Sequence, residues 1–270
     1  MDRRTFLSRA VGAACACPAC APFTRVAAAS DAPHGEAPHG EAHGGAPHWA
    51  YEGHGGPADW GTLAPEYGAC GIGREQSPID LAKPIAALAG RPAVNWKPVP
   101  LEIVNNGHTI QVNCANGGGI ELDGIAYDLV QFHFHHPSEH TIDGVPFDME
   151  IHFVHRAAAG ALAVLGVMVR NGEADTTLET IFRLMPPTGG ATTRVETMLQ
   201  PAALLPKDSA SYRYAGSLTT PPCSEVVSWL VYRQPVSASV DQIDRFSRLF
   251  PNNARPPQPL NRRKLLLDIL

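Results

Sequence analysis

Short apolar runs separated by turn residues fill the chain from about residue 99 onward. The runs are rich in Val, Ile, Leu and Phe and are bounded by Gly, Pro, Asn and Asp, a pattern typical of strands. The predicted strands are Leu101–Val104, Thr109–Val112, Ile120–Leu122, Leu129–His135, Met149–Val154, Ala161–Val169 and Val226–Tyr232.

Apolar positions recur with helical periodicity in only two segments, Asp175–Leu184 and Val240–Phe250. Many short strands and few helices predict a mainly β protein with one domain and short peripheral helices. The 25 Gly and 25 Pro residues agree with this, because both residue types favour turns and loops.

Polar side chains alternate along the strand predicted at Leu129–His135. Gln131, His133 and His135 occupy every second position and therefore share one face of that strand. Asp143-Gly144 follows, and this dipeptide is a strong hairpin signal. The pattern predicts a hairpin whose two strands both carry histidine.

The histidines of this hairpin are candidate metal ligands. A tight turn at Asp143-Gly144 pairs His135 with His152 and His133 with Val154. Opposed side chains on one face lie about 5 Å apart at Cβ, and diagonal ones about 7–8 Å. Three imidazoles within that reach can bind one zinc ion at about 2.0–2.1 Å. No fourth ligand is apparent, and three His with an open position is typical of catalytic zinc.

Two acceptors accompany the candidate ligands. Gln131 lies two residues before His133, and Glu150 lies two residues before His152, so each can accept the second ring N–H of its histidine. A single histidine is more often a core or surface side chain. Three histidines on one face, accompanied by two acceptors, favour a metal site.

Residues 1–29 resemble an export signal. Arg3-Arg4-Thr5-Phe6-Leu7 is similar to a twin-arginine motif, and Ala27-Ala28-Ala29 fits a cleavage site. The segment has no run of about 18 apolar residues, so a membrane span is not expected. Residues 30–47 repeat Pro-His-Gly-Glu without apolar periodicity and predict a flexible tether before a folded domain at 48–270. The expected location is periplasmic or secreted.

The net charge of the chain narrows the classes of macromolecule that it can bind. Residues 1–29 hold four of the 21 basic and one of the 26 acidic residues, so the remainder has 17 against 25 and a net charge of −8. An acidic chain without a basic cluster is a poor binder of nucleic acid or anionic membrane.

Outside residues 1–29 the chain has three cysteines, Cys70, Cys114 and Cys223. This number indicates one disulfide and one leftover cysteine without identifying the pair.

Eight motifs occur in one order between about His48 and Arg263: GREQSPID, EIVNNGH, QFHFH, SEHT, MEIHFVH, LAVLG, GSLTTPPC and NARPPQPLN. Together they resemble the α-class carbonic anhydrases of the exported bacterial type. The resemblance implies a large, twisted, mostly antiparallel central β-sheet with Zn²⁺ at the bottom of a conical cleft. It also implies reversible hydration of carbon dioxide to bicarbonate and a proton, and a homodimer is a family-level expectation.

The resemblance assigns the metal site residue by residue. The matching positions are the zinc ligands His133, His135 and His152, and the outer acceptors Gln131, Glu150 and the carbonyl of Asn253.

The resemblance further implies attack of zinc-bound hydroxide on carbon dioxide. Zinc lowers the pKa of bound water to about 7, the established value for this family. Thr219 matches the residue that accepts a hydrogen bond from the hydroxide and donates one to Glu139, which as a carboxylate can only accept. His108 matches the proton shuttle, because histidine titrates near neutral pH. Tyr51 and Asn106 match residues that order the relay waters.

Other positions are assigned only by the resemblance. It implies a Cys70–Cys223 disulfide with Cys114 free, and cis peptide bonds at Ser77–Pro78 and Pro221–Pro222. His140 and His155 are interpreted as buried structural histidines. The residues that match the substrate pocket are Val154, Val164, Leu218, Thr220, Val227 and Trp229.

Two alternative functions fit part of the pattern. His133-x-His135-x3-Glu139 has the ligand spacing of a cupin, but a cupin needs a later histidine and none follows His155. A periplasmic zinc carrier would use the His-rich tether, but it would leave Thr219 and Glu139 without a role. Substitution of Thr219 separates an enzyme from a carrier.

Overall fold

The computed structural model describes residues 47–269. The predicted export signal and nearly all of the predicted tether lie outside the described residues. Within residues 47–269, no helix is long and apolar enough to cross a membrane.

Strands dominate the described part of the chain, which confirms the mainly β prediction. In chain order, the fifteen strands found between residues 47 and 269 are β1 (Ile85–Ala87), β2 (Ala93–Trp96), β3 (Val99–Asn105), β4 (Ile110–Asn113), β5 (Gly118–Leu122), β6 (Ile125–His135), β7 (Thr141–Ile142), β8 (Val145–Pro146), β9 (Met149–Ala157), β10 (Leu162–Asn171), β11 (Thr192–Leu199), β12 (Ser211–Gly216), β13 (Val227–Tyr232), β14 (Val236–Ala238) and β15 (Leu266–Asp268).

All the predicted strands are present, in β3, β4, β5, β6, β9, β10 and β13, although those predicted from Thr109, Ala161 and Val226 begin one residue later. The strands that were not predicted are two to four residues long or, like β11 and β12, lack a clear apolar run. Strand β11 is a sheet edge in which most side chains are exposed or half-buried, and most residues of its sequence, TTRVETML, are polar or charged. Its position beside β3 is set by tertiary pairing, which local sequence does not reveal.

Thirteen of these strands form one sheet. Its path runs β1-β15-β12-β13-β10-β9-β6-β4-β3-β11, with β14 beside β10 and with β2 joined through β5 to β6. Neighbours are antiparallel except β1–β15, β10–β13 and β10–β14. Strands β7 and β8 form a separate hairpin. The histidine-bearing strands β6 and β9 therefore lie in the middle of the sheet.

A β-bulge in β6 determines which side chains face the cleft. Leu129 pairs with His155 but Gln131 pairs with Val154, so Val130 is the extra residue. Before the bulge, odd-numbered Leu129 is buried in the core. Beyond it the parity changes, and the even-numbered Phe132 and Phe134 are buried in the same core. The bulge thereby places the odd-numbered histidines on the opposite face.

The predicted register of the histidine hairpin is wrong by two residues. His152 lies opposite His133, and His135 lies opposite Glu150. The turn at Asp143-Gly144 is present, but it closes only the small β7–β8 hairpin. The residues between that hairpin and the two long strands, 136–140 and 147–148, differ in number and shift the register.

The helices are short and lie outside the sheet. Both predicted helices are present and begin at side-chain caps: Asp175 accepts from Leu178 N–H, and Ser239 forms a capping box with Gln242. In the described part of the chain the α-helices are α1 (Trp60–Leu63), α2 (Ala69–Ile72), α3 (Thr176–Arg183) and α4 (Val240–Ser247), with 3₁₀ turns at Pro65–Tyr67 and Pro201–Leu204.

The sheet separates two apolar clusters, and a third surrounds the disulfide. The larger contains Phe132, Phe134 and Phe153 beneath α3 and α4. The smaller, on the cleft side, contains Val164 and Trp229. The third contains the Cys70–Cys223 disulfide, which is present as the resemblance implied, while Cys114 is buried and free. The peptide bonds Ser77–Pro78, Pro221–Pro222 and also His136–Pro137 are cis.

His155 is a buried histidine of β9, as predicted, and it titrates outside the neutral range. Its Nε2 accepts from Trp96 Nε1–H at 3.1 Å, and its Nδ1–H donates to the Ala163 carbonyl at 3.2 Å. Burial lowers the pKa of His155 to about 4, whereas a histidine in the unfolded chain titrates near pH 6.5. The native residue therefore stays neutral in mild acid.

Acid is expected to destabilise the fold through His155. Between about pH 6.5 and pH 4 the unfolded chain binds a proton that native His155 does not, so the free energy of unfolding falls as the pH falls. The part due to His155 is about 3 kcal/mol. Urea unfolding at several pH values measures it. His155→Gln is the matched variant, because its amide can accept from Trp96 and donate to Ala163 without titrating. A difference between the two proteins that does not change with pH would contradict the prediction.

Candidate metal centre and cleft

Three histidine rings converge on the cleft face of β6 and β9. His133 and His152 are cross-strand neighbours, and His135 follows two residues after His133. The ring centroids of His133 and His135 are 5.0 Å apart, those of His133 and His152 5.3 Å, and those of His135 and His152 4.5 Å. One nitrogen of each ring lies within 4.8 Å of the other two.

An acceptor fixes the orientation of each ring. His133 Nδ1–H donates to Gln131 Oε1 at 2.9 Å, and His135 Nδ1–H donates to the Asn253 carbonyl at 2.7 Å. His152 Nε2 lies 2.9 Å from Glu150 Oε1, although the angle falls short of a regular hydrogen bond. These contacts leave Nε2 of His133, Nε2 of His135 and Nδ1 of His152 for a shared ligand.

The protonation state of the three histidines suits a metal ion. Burial lowers the pKa of His133 well below its usual range, lowers that of His135 to about 4, and lowers that of His152 as well. All three rings are therefore neutral near pH 7, which is the metal-binding form. His135 Nε2 is buried without a hydrogen-bond partner. Three neutral imidazoles with oriented acceptors fit zinc.

Glu150 is a buried carboxylate that holds more than one partner. Its Oε2 accepts from the backbone N–H groups of Glu139 and His140 at 2.9 Å each, and His140 Nδ1–H donates to Oε1 at 2.8 Å. Burial acts to raise the pKa of Glu150, but His140 and His152 together lower it well below its usual range. His140 Nε2 lies 2.6 Å from the Tyr214 hydroxyl oxygen, and that hydroxyl donates to Ser77 Oγ at 2.9 Å. His140 is buried as predicted, but its contact with the metal-site carboxylate was not foreseen.

Glu139 lies beside the histidine cluster. Its Oε1 accepts from the Arg255 backbone N–H at 2.9 Å, and its Oε2 is 3.5 Å from His135 Nε2. Burial raises the pKa of Glu139 to about 7, against the opposing effects of His152, the Arg255 N–H and the Thr219 hydroxyl. Thr219 is buried beside it. The structure thus places the predicted Thr219–Glu139 pair beside the three histidines, with Glu139 Oε2 making no regular hydrogen bond.

Arg255 was not identified from the sequence, where nothing distinguishes it from the other arginines. Its guanidinium is buried and donates to Gln76 Oε1, the Ser77 carbonyl and the Cys70 carbonyl. The same residue offers its backbone N–H to Glu139. Arg255 therefore links the disulfide segment to Glu139, the carboxylate beside the three histidines.

Apolar side chains of the cleft-side cluster form a wall next to the three histidines. Within this wall the Trp229 ring lies next to His152, with the two ring centroids 4.8 Å apart. Trp229 is held by a hydrogen bond from its Nε1–H to the Ser217 carbonyl at 3.0 Å. The apolar cluster contains all the apolar residues predicted to hold the substrate: Val154, Val164, Leu218, Val227 and Trp229.

A cavity of about 170 Å³ leads from the histidines toward the surface. Thr109 and Gln111 were not predicted to lie there, because a polar residue on a half-buried strand carries no distinctive sequence signal. The cavity is lined by Trp49, Tyr51, Asn106, His108, Thr109, Gln111, Gln131, His133, His135 and Thr220.

His108 lies at the outer part of this cavity. Its ring stacks on Trp49 with centroids 3.8 Å apart and an interplanar angle of 7°. Burial, with a smaller effect of His48, lowers the pKa of His108. Burial also raises the pKa of Tyr51 well above its usual range, so that hydroxyl keeps its proton. Asn106 Oδ1 accepts from the His108 backbone N–H at 3.0 Å, which leaves its amide N–H group for water.

Known proteins share this fold and sequence. The family model for eukaryotic-type carbonic anhydrases matches residues 55–268. A carbonic anhydrase of Nostoc sp. is 43% identical over 225 residues, which cover 81% of this chain and 85% of that protein. A carbonic anhydrase of Pectobacterium carotovorum is 44% identical over 220 residues, which cover 81% and 90%. The α-carbonic anhydrase of Thermovibrio ammonificans, solved with the inhibitor sulfanilamide, superposes with a TM-score of 0.79 at 43% identity and covers 82% of this chain and 100% of that chain.

Proposed function

Because the chain belongs to the eukaryotic-type, or α-class, carbonic anhydrase family, we propose that it hydrates carbon dioxide reversibly at a zinc ion held by His133, His135 and His152. The observation that carries the proposal is the convergence of three neutral imidazoles, one half-buried and two buried, with one nitrogen of each within 4.8 Å of the others. Gln131, Glu150 and Asn253 would orient these ligands through the hydrogen bonds and contacts described above.

Zinc, when bound, supplies a Lewis acid that lowers the pKa of a coordinated water to about 7, the established value for carbonic anhydrases. The protein then has to orient the reacting oxygen, hold the uncharged substrate and remove a proton. Different parts of the cleft serve these tasks.

Thr219 and Glu139 orient the nucleophile. A carboxylate only accepts hydrogen bonds, so the Thr219 hydroxyl donates a hydrogen bond to Glu139. Its oxygen then remains free to accept a hydrogen bond from the attacking group. This logic needs Glu139 ionised, and the positive charge of a zinc ion held by the three neutral histidines would favour that form. The Arg255 N–H holds the other carboxylate oxygen in place.

The apolar wall suits an uncharged substrate. Carbon dioxide gains little from polar groups, and Val154, Val164 and Trp229 present carbon surface next to His152. Leu218, Val227 and Thr220 complete the proposed substrate site.

His108 serves as the proton shuttle in this proposal. Its ring borders the same cavity as His133, and its lowered pKa keeps it neutral and able to accept a proton near pH 7. Tyr51 and Asn106 present groups that can order the waters between the two histidines. Trp49, which the sequence did not identify, holds the ring of His108 by stacking.

His108→Ala should lower turnover in weak buffer by about tenfold or more, because proton removal loses its relay group. Imidazole added to the assay should restore the rate. His54→Ala is the control, since His54 is fully exposed and lies outside the cavity. Equal turnover of His108→Ala and the parent in weak buffer would remove His108 from the mechanism.

Export to an oxidising compartment and a homodimeric state belong to the same proposal. The Cys70–Cys223 disulfide supports export, because disulfides persist mainly outside the cytosol. It is consistent with the proposed periplasmic or secreted location.

The decisive experiment is carbon dioxide hydration by stopped flow on zinc-loaded and chelator-stripped protein. We expect zinc-dependent proton release that sulfanilamide inhibits, as the complex of the Thermovibrio ammonificans relative suggests. Bound zinc without hydration would overturn the proposed enzyme and favour a zinc carrier.

A further inference from the structure

A row of polar side chains crosses four neighbouring strands beside the cleft. Arg194 of β11 lies opposite Glu102 of β3, Glu102 lies opposite Asn113 of β4, and Asn113 lies opposite Gln131 of β6. Gln111 lies two residues before Asn113 and shares its face. The row thus connects the exposed sheet edge with the residue that orients a metal ligand.

The hydrogen bonds of this row are donated toward Glu102 from both sides. Arg194 Nε–H donates to Glu102 Oε2 and Asn113 Nδ2–H donates to Glu102 Oε1, both at 2.7 Å. Gln111 Nε2–H in turn donates to Asn113 Oδ1 at 2.7 Å. Gln111 also lines the cavity that His108 borders.

The chemistry of Glu102 fixes that direction. A carboxylate can only accept and a guanidinium can only donate, whereas an amide offers an acceptor on one side and a donor on the other. Because Glu102 only accepts, Asn113 must turn its NH₂ toward Glu102 and its oxygen toward Gln111. Gln111 must then turn its own NH₂ toward Asn113. Hydrogen bonds from Arg194 and Asn113 lower the pKa of Glu102, so it is ionised near pH 7.

We propose that Glu102 is a positioning residue that orients the amides of Asn113 and Gln111 and so presents the Gln111 carbonyl oxygen to the cleft as a hydrogen-bond acceptor. The inference rests on the proposed function, because such an acceptor orders water between His133 and His108, along the path of the departing proton. Water at this wall of the cavity then has a fixed orientation, because it must donate a hydrogen bond to Gln111.

Glu102→Gln should reverse the row. Arg194 still only donates, so it takes the oxygen of the new amide, and the NH₂ of residue 102 faces Asn113. Asn113 then has to present its oxygen to residue 102 and its NH₂ to Gln111. Gln111 accepts through its oxygen and presents its NH₂ to the cleft, opposite to the native arrangement.

Removing Arg194 should undo this reversal. In the double variant Glu102→Gln with Arg194→Ala, residue 102 can offer its oxygen to Asn113 again, and the native direction returns. In Glu102→Gln with Arg194→Lys, the partner is still only a donor, so the row stays reversed. Arg194→Ala alone keeps the native direction, because Glu102 can only accept.

Two measurements on these variants test the proposal. Glu102→Gln should lower kcat in weak buffer about fivefold, the rate equivalent of one hydrogen bond, with kcat/KM unchanged. The Arg194→Ala double variant should recover the kcat of the parent, and the Arg194→Lys double variant should not. In zinc-free protein, the ¹H–¹⁵N side-chain resonances should show a hydrogen-bonded Gln111 amide proton in the parent and an Asn113 amide proton bonded to Gln111 in Glu102→Gln.

The remaining outcomes distinguish failure of this inference from failure of the proposed function. A purely electrostatic role of Glu102 predicts that Arg194→Ala alone shifts the pH profile of kcat opposite to Glu102→Gln, and that result would overturn the inference. Unchanged side-chain amide resonances in Glu102→Gln would also overturn it. Absence of hydration by the parent protein would refute the proposed function instead, while the amide resonances would still decide the orientation of Gln111.

Discussion

His135→Ala is expected to remove zinc and with it at least about a thousandfold of kcat/KM, equivalent to about 4 kcal/mol of transition-state stabilisation. His135 is buried, neutral near pH 7 and fixed by the Asn253 carbonyl, and its Nε2 faces the other two histidines. Two imidazoles cannot supply the three protein ligands of a catalytic zinc site. Zinc content by elemental analysis and hydration by stopped flow measure the two losses together.

His136→Ala is the matched control for His135→Ala. The two histidines are adjacent, but the His136 side chain points to the surface and its Nδ1–H donates to the Pro251 carbonyl at 2.9 Å. We therefore expect zinc content and hydration near those of the parent. Retention of one zinc per chain by His135→Ala would show that the metal is bound elsewhere and would contradict the assigned centre.

The fold of His135→Ala should survive the substitution. His135 Nε2 is buried without a hydrogen-bond partner, so truncation removes a polar atom that the metal-free protein does not satisfy. Near-ultraviolet circular dichroism and urea unfolding of the zinc-free proteins check this point, so that lost activity is not mistaken for lost structure.

Local periodicity was sufficient to predict one half of the histidine cluster that forms the candidate metal centre. The alternation of Gln131, His133 and His135 correctly predicted a common face, because side chains alternate in any strand. The same reasoning could not detect the bulge at Val130, which depends on the partner strand. It also placed His152 opposite the wrong histidine, since the hairpin turn at Asp143-Gly144 does not directly join the two long strands.

The groups that orient His135 and Glu139 come from loops that are far away in the sequence. The Asn253 carbonyl that orients His135 is 118 residues away, and the Arg255 N–H that holds Glu139 is 116 residues away. No spacing rule connects such residues, so Asn253 and Thr219 were assigned only through the family resemblance. Arg255 itself was missed, because burial of a guanidinium among carbonyl groups is a tertiary property.

Thr219→Val is expected to lower kcat/KM by about a hundredfold, or about 2.7 kcal/mol, while zinc remains bound. Valine has nearly the size and shape of threonine, so the buried position stays filled, but the hydroxyl that links Glu139 to the reacting oxygen is gone. Glu139 then keeps only the Arg255 N–H on its Oε1. The attacking group loses its acceptor and its fixed orientation, and the loss appears in the chemical step.

Thr219→Ser separates this role from packing. Serine keeps the hydroxyl and loses the methyl group, so most of the activity should return even though the loop is less well packed. Equal losses in the Val and Ser variants would indicate that packing of the 217–223 loop, and not the hydroxyl, is what the reaction needs. Full activity in Thr219→Val with one zinc per chain would remove Thr219 from the mechanism. A zinc carrier would show no dependence on either substitution, so the pair also tests the choice between enzyme and carrier.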